Sequence, residues 1–124
     1  MNESIKQELK DRLNSLPQKI FDNEVALIEK QDLLDKVLFN NKVVEKQVFI
    51  DVEAEMDEEG KPRYSNEAKR KSESNKRLRL AQAYQENKVQ MEELKRELET
   101  EKLVISFLKR KFRATKSLID LELV

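Results

Sequence analysis

The chain has 124 residues, with 25 basic and 25 acidic side chains, one glycine, two prolines and neither histidine nor cysteine. Ordinary proteins contain about 7% glycine, so this chain has too little turn material for a sandwich, a barrel or a Rossmann-type fold. The missing histidine and cysteine exclude a Cys/His zinc site, a serine–histidine triad and a thiol nucleophile. The composition therefore predicts a single-domain, non-enzymatic protein over residues 1–124, without cofactor, metal or small-molecule substrate.

The N-terminal residues lack the apolar core of a signal peptide, and no run approaches the ~18 apolar residues of a membrane span. We therefore expect a cytoplasmic protein with no membrane partner. The absence of cysteine agrees with a reducing compartment.

The N-terminal segment predicts a short helix over residues 1–15, followed by a break. Apolar residues recur there at spacings of four, four and three: Ile5, Leu9, Leu13 and Leu16. The residue before Pro17 is biased away from the α region, so the helix should end there. Ser15 then opens a capping box, which predicts a first long helix over residues 17–54.

The first long helix carries a heptad repeat. Five residues follow one another at seven-residue spacing: Ile20, Leu27, Leu34, Asn41 and Val48. The polar member, Asn41, is expected to specify register and oligomer state. Residues 48–56 alternate with period two and could form a short strand. Helix to residue 54 is favoured, because an isolated hairpin would have no sheet to join.

Residues 55–65 are the predicted turn, since they contain the only glycine and the second proline. Ser65 or Asn66 can cap a second long helix over residues 66–122, in which the sequence shows no breaker. This helix has the strongest heptad pattern: Tyr84, Met91, Leu98, Ile105, Phe112 and Ile119. The complementary heptad position holds Leu80, Leu94 and Leu108, and also two further polar residues expected to specify register, Asn87 and Glu101.

These elements predict an all-α fold, a long antiparallel helical hairpin (coiled coil) with a short N-terminal helix. Residues 1–60 carry 8 basic and 15 acidic side chains, net −7, and residues 61–124 carry 17 and 10, net +7. Opposite charges favour laying the two halves side by side, although each surface pair contributes only about 0–1 kcal/mol. Whether the helices pair within one chain or between chains is open at this point.

Apolar residues outside the heptad pattern widen one face near the C-terminus: Leu103, Val104, Phe107, Leu118 and Leu121. We expect the N-terminal stripe, residues 5–16, to cover this face within the chain, or a second copy to cover it. A slender hairpin also buries little core. A homo-oligomer is therefore expected.

Basic residues concentrate in two clusters that are candidate nucleic-acid-binding sites if they face solvent. The first cluster follows the turn and comprises Lys69, Arg70, Lys71, Lys76, Arg77 and Arg79. The second cluster lies near the C-terminus and comprises Lys109, Arg110, Lys111, Arg113 and Lys116. The alternative is that both only pair with the acidic half. This alternative is favoured for the first cluster, which lies close to the acidic run 51–59.

A lysine recurs every seven residues along the second long helix, at Lys88, Lys95, Lys102, Lys109 and Lys116. In a coiled coil such a stripe usually flanks the apolar seam. We expect it to pair with acidic residues of the first long helix, such as Asp22, Glu29 and Asp32.

The segment Asp57–Arg70, DEEGKPRYSNEAKR, lies between two long charged helices. It resembles the tip of small helical-hairpin coiled-coil proteins of bacteriophages and prophages. The layout is similar to that of Gam-type host-nuclease inhibitors, which bind DNA ends as long-helix dimers. The resemblance implies a phage or bacterial origin, and a location in the bacterial host cell if a phage encodes the chain. No binding residue of that family matches a position here.

Together, these observations predict a non-enzymatic coiled-coil interaction protein, of phage or bacterial origin, that binds a macromolecular partner through charged helix faces. A protein partner is expected, and DNA is a possible one. The alternative is a DNA-binding accessory protein of recombination or of nuclease protection or inhibition.

Overall fold

A computed structural model describes residues 2–123 of the chain, and the side chains of residues 2–121. Over these residues it consists of three helices, α1 (Glu3–Ala54), α2 (Glu67–Leu80) and α3 (Gln82–Leu123). The described part contains no strand; an isolated bridge joins Met56 to Pro62. The all-α prediction is confirmed, and so is the prediction that helix continues to residue 54. No helix in the described residues is long and apolar enough to cross a membrane.

Helix α1 runs through Pro17 without interruption, so the predicted break between residues 1–15 and 17–54 is wrong. A proline inside a helix costs about 3 kcal/mol relative to alanine, because its N–H is missing and its ring crowds the preceding turn. Burial on either side offsets this cost. Leu9 is 6% exposed and Leu16 is 2% exposed, and each such burial contributes about 1.5–3 kcal/mol.

Asparagine side chains cap the starts of α1 and α2. The Asn2 Oδ1 accepts hydrogen bonds from the backbone N–H groups of Ser4, at 2.7 Å, and Ile5. The Asn66 Oδ1 accepts from the backbone N–H of Lys69 at 2.8 Å. Asn66, one of the two predicted caps, therefore satisfies an otherwise free N–H at the start of α2.

The turn between α1 and α2 is built around Asp57. Its Oδ1 accepts hydrogen bonds from the backbone N–H groups of Glu59 and Lys61, both at 2.9 Å. Gly60 adopts a φ of +77°, which L side chains rarely adopt. The only glycine therefore occupies the one described position with a positive φ.

The predicted second long helix over residues 66–122 is interrupted at Ala81, where the backbone is extended with φ −80° and ψ 106°. The Ala81 N–H and the Gln85 side chain both donate to the Leu78 carbonyl, at 3.2 and 3.0 Å. This break shifts the buried face. Leu80, which the heptad pattern places in the seam, is 75% exposed, and Ser74 is buried instead at 6%.

The chain divides into two compact units, and α1 and α3 contribute to both. Unit 1 comprises Met1–Asp32 and Arg96–Val124. Its two helical segments run antiparallel, because Lys30 lies beside Glu101 while the earlier residue Glu24 lies beside the later residue Lys109. Its buried residues include Leu9, Leu16, Leu98, Ile105 and Thr115.

Unit 2 comprises Leu33–Lys95, which includes the end of α1, the turn, α2 and the start of α3. Hydrogen bonds again show antiparallel pairing, since Asn41 contacts Asn87 and Glu55 contacts Arg77. Its buried residues include Leu34, Val37, Val52, Tyr84 and Leu94. In each unit the helices therefore pair antiparallel within one chain. The homo-oligomer and the single-domain description stay predictions.

Candidate interaction surfaces

The C-terminal part of α3, in unit 1, presents three faces when residues are placed at about 100° intervals around the helix. The seam is buried or half-buried and contains Ile105, Leu108, Phe112, Thr115 and Ile119. A second face, here called the basic flank, contains Lys109, Arg110, Arg113 and Lys116. A third, here called the apolar flank, contains Leu103, Val104, Phe107, Ala114, Leu118 and Leu121.

The basic flank is only partly neutralised. The Lys109 Nζ lies 3.6 Å from the Glu24 Oε1 of α1, and the two side chains are 49% and 46% exposed. Such a half-exposed pair contributes little, about 0–1 kcal/mol. Arg110, Arg113 and Lys116 are exposed and form no ion pair with any side chain among residues 2–121. Three exposed cations without an ion-pair partner among these side chains therefore lie within two helical turns, and the exposed Asp120 follows one turn after Lys116.

The predicted second basic cluster does not form one surface, because Lys111 points away from it. Arg113 lies two positions after Lys111, which places the two side chains about 160° apart around the helix. Lys111 is half-buried beside the apolar flank, whereas the other four members are exposed. The basic flank therefore comprises four of the five residues predicted for this cluster.

The apolar flank has no cover within the described chain. Leu103 is 69% exposed, Phe107 57% and Leu121 73%. The prediction that the N-terminal stripe covers this face is wrong, because Leu9 and Leu16 of that stripe are buried while the residues of the apolar flank stay exposed. Its first member, Ile5, is itself 47% exposed. The apolar flank is thus a second exposed feature, separate from the basic flank.

The recurring lysines of α3 do not pair with the acidic residues expected for them. Two pair within their own helix: Lys95 with Glu92 at 3.5 Å, and Lys102 with Glu99 at 3.3 Å. The Lys88 Nζ lies 5.4 Å from the centre of the Tyr84 ring. Only Lys109 reaches α1, and its partner is Glu24 rather than Asp22, Glu29 or Asp32. The stripe is a helix flank, as expected, but most of its pairing is local.

The first basic cluster, on α2, is divided between structural contacts and free charge. Arg77 hydrogen-bonds Glu55 across the turn and pairs with Glu73 at 3.0 Å, and the Arg70 side chain donates to the Tyr64 carbonyl at 3.3 Å. The hydrogen bond from Arg77 lowers the pKa of Glu55, and Arg63 adds to the effect.

The other members of the first cluster form no ion pair among residues 2–121: Lys69, Lys71, Lys76 and Arg79. Glu55 is the only member of the acidic run 51–59 that pairs with the cluster within this part of the chain. The expected neutralisation by that run is therefore limited to one arginine.

The polar seam residues contact one another across the helix pair. The Asn87 Nδ2 donates to the Asn41 Oδ1 at 3.0 Å, and the Asn41 Nδ2 lies 3.5 Å from the Met91 sulfur. Glu101 accepts instead from Lys30 at 3.3 Å. Each predicted polar residue thus has a partner on the opposite helix, which is the arrangement that a role in register requires.

Tyr84 forms a contact that no pattern in the sequence predicts. Its hydroxyl donates a hydrogen bond to the Glu45 carboxylate of α1. This bond and the burial of the ring raise the pKa of Tyr84 to about 12. Tyr84 therefore ties α3 to α1 through its hydroxyl as well as its ring.

An open cleft of about 420 Å³ lies beside the break between α2 and α3 in unit 2. Its lining is polar and basic and includes Ser72, Asn75, Arg79, Tyr84, Gln85 and Lys88. None of these residues is a carboxylate, and no group of acidic side chains in the described residues is placed to hold a metal ion. The exposed helix faces are therefore the candidate interaction surfaces of the described residues.

Comparison with known proteins gives no match to a protein-family model, to a curated protein or to a solved structure.

Proposed function

We propose that the protein is a non-enzymatic coiled-coil interaction protein, of phage or bacterial origin, that binds an acidic protein partner through the basic flank of α3. The observation that carries the proposal is a set of three exposed cations, Arg110, Arg113 and Lys116, which form no ion pair among residues 2–121 and are held in fixed relative positions by one helix. A rigid row of like charges selects a partner with acidic side chains at matching spacing, since unpaired charges on either side disfavour other partners.

The size of the basic flank favours a protein partner over a nucleic acid. Contacts to three phosphates would give duplex binding with a log–log salt slope of only about −3. The flank also offers no aromatic side chain on which a base could stack, because Phe107 lies on the apolar flank. A short acidic helix or segment of a protein matches a surface of this length.

Charge reversal tests the proposal. The variant Arg110→Glu/Arg113→Glu/Lys116→Glu is compared with a matched control on α2, Lys71→Glu/Lys76→Glu/Arg79→Glu. Both sets replace exposed residues, so circular dichroism should show unchanged helix content in both. The native chain and both variants are immobilised and exposed to nuclease-treated bacterial cytosol. Proteins that are captured are then quantified by mass spectrometry.

The proposal predicts a discrete protein that the native chain and the α2 control retain and that the α3 variant loses. This protein should elute when the salt concentration is raised, because the contacts are between exposed charges. Equal capture by all three chains, or capture of none, would overturn the proposal.

Nucleic-acid binding is the second candidate, and a specific observation favours it. Lys71, Lys76 and Arg79 on α2 are exposed and unpaired among the described side chains, as are the three free residues of the basic flank. The resemblance to Gam-type inhibitors points the same way. Fluorescence anisotropy with labelled duplex and single-stranded DNA at several salt concentrations measures this binding.

If DNA is the ligand, both charge-reversal variants should bind DNA more weakly than the native chain. The native chain should also show a log–log salt slope steeper than the value of about −3 expected for three phosphate contacts. The absence of binding at low salt would remove this candidate and leave the protein partner.

A further inference from the structure

The apolar flank of α3 repeats the spacing of a coiled-coil seam. Five of its residues, Val104, Phe107, Ala114, Leu118 and Leu121, form with the neighbouring Lys111 a stripe whose positions are separated by three, four, three, four and three residues. The buried seam of the same helix, from Ile105 to Ile119, alternates in the same way. A helix with two such stripes can pack against two helices. Helix α1 occupies the first stripe, and no described residue occupies the second.

We propose that the apolar flank of α3 binds the same flank of a second copy of this chain in antiparallel orientation, which makes the protein a homodimer. This inference is independent of the basic flank, which lies on another face of α3, and therefore of the proposed function.

The sequence of the flank is self-complementary in the antiparallel orientation. When two flanks are aligned about a two-fold axis between residues 112 and 113, Phe107 lies across from Leu118 of the second copy, and Val104 lies across from Leu121. Lys111 then lies across from the small Ala114, so its aliphatic chain can cover the alanine while its ammonium group reaches water. Every large apolar side chain of the stripe is matched by another one.

Charge also favours a second copy in this orientation. Arg110 borders the flank, and in the antiparallel alignment the nearest residue on the matching border of the second copy is the uncharged Ser117, two positions from the exact counterpart of Arg110. A parallel, in-register dimer would instead place Arg110 and Lys111 beside their own copies, and such like-charge contacts disfavour association. In the antiparallel homodimer Lys111 is offset from its own copy by three residues and Arg110 by five, so like charges lie farther apart than in the parallel dimer.

The area of the flank is sufficient for a specific interface. Its five large apolar side chains are between 39% and 73% exposed. At roughly 100 Å² of exposed surface each, they offer roughly 500 Å² per copy, and two copies would bury about 1,000 Å², the lower limit for a specific interface. The proposed dimer is therefore of moderate affinity and should dissociate on dilution.

Analytical ultracentrifugation of the full chain over a range of concentrations tests the dimer. The proposal predicts a mass that rises from 14.7 kDa towards twice that value. Phe107→Asp/Leu118→Asp should raise the dissociation constant at least roughly tenfold. The control Phe39→Asp replaces a residue on α1 that is 66% exposed and outside the flank, and it should leave the dissociation constant unchanged. Circular dichroism verifies that each variant keeps its helices.

Cysteine cross-linking tests the orientation, since the native chain contains no cysteine. Val104→Cys and Leu121→Cys chains are oxidised separately and as a mixture. In the antiparallel dimer, residues 104 and 121 of different copies are adjacent, whereas two copies of residue 104 are about 25 Å apart. Only the mixture should therefore form a disulfide-linked dimer.

A monomer at all concentrations would overturn the proposal. Cross-linking of each variant with itself would indicate a parallel dimer and would also overturn it. An unchanged dissociation constant in Phe107→Asp/Leu118→Asp would show that the copies meet elsewhere, which contradicts the assignment of the apolar flank.

Discussion

Replacing Asn41 and Asn87 with alanine, singly and together, measures how much their hydrogen bond stabilises the pairing of α1 with α3. Asn41 is 4% exposed and its Oδ1 accepts from the Asn87 Nδ2 at 3.0 Å. Such a bond between uncharged side chains contributes about 0.5–1.5 kcal/mol, and a buried polar group that loses its partner costs about 1–3 kcal/mol. Each single replacement should therefore lower the free energy of unfolding by about 1–3 kcal/mol.

The double variant should lose less than the sum of the two single losses, because the hydrogen bond can be lost only once. We expect the shortfall, which is the coupling energy of the pair, to be about 1 kcal/mol. Urea unfolding of the native chain and the three variants, followed by circular dichroism at constant protein concentration, gives this value. Strictly additive losses would refute the reasoning, since they would show that Asn41 and Asn87 do not interact in solution.

Three further predictions concern single positions. Pro17→Ala should raise the free energy of unfolding by up to about 3 kcal/mol, because alanine restores the N–H that α1 lacks at this exposed position; a lower melting temperature would contradict this. In the folded chain the pKa of Tyr84 is about 12, above its ordinary value of 10.0. The protonated hydroxyl therefore contributes its full stabilisation of the fold below pH 10, and this stabilisation is lost as the pH rises from about 10 through about 12. Urea unfolding at pH 9 to 12 should show this loss in the native chain but not in Tyr84→Phe, and identical pH profiles would show that the hydroxyl makes no such contribution. Gly60→Ala should lower the melting temperature slightly, since a φ of +77° costs a side chain about 1–2 kcal/mol although nothing lies within 4 Å of its Cβ; an unchanged melting temperature would show that the turn can relax.

The heptad pattern predicted buried positions well but helix boundaries less well. Leu34, Leu98 and Ile105 are buried where the pattern places them. The predicted break near Pro17 followed a local rule about the residue before a proline. A longer-range signal was also present, because Leu13 continues the seven-residue series of Ile20 back through the proline. The packing of several heptads outweighs one missing hydrogen bond.

The break at Ala81 could not be predicted from its neighbours. No glycine or proline lies nearby, and the local sequence favours helix on both sides. The break coincides with a change of register, in which Ser74 is buried and Leu80 is exposed. Such a change depends on how α2 meets α1 beyond the turn, and this is decided by packing between segments distant in sequence.

The candidate surfaces could be predicted in composition but not in placement. The sequence identified the basic clusters and the polar seam residues. It did not show that Arg77 bonds to Glu55 or that Asn41 bonds to Asn87. These facts depend on the register between two helices, because a shift of one residue rotates each side chain by about 100°.

Site-specific photo-crosslinking tests the central proposal, that a partner protein binds the basic flank of α3, most directly. A photoreactive amino acid replaces Arg113 in one full-length chain and Lys71 of α2 in a second, and both chains are irradiated in nuclease-treated bacterial cytosol. Both positions are exposed, so unspecific adducts should be equal. The proposal predicts a discrete protein adduct at position 113 that is absent at position 71 and that disappears in Arg110→Glu/Lys116→Glu. The same adducts at both positions, or none at position 113, would contradict it.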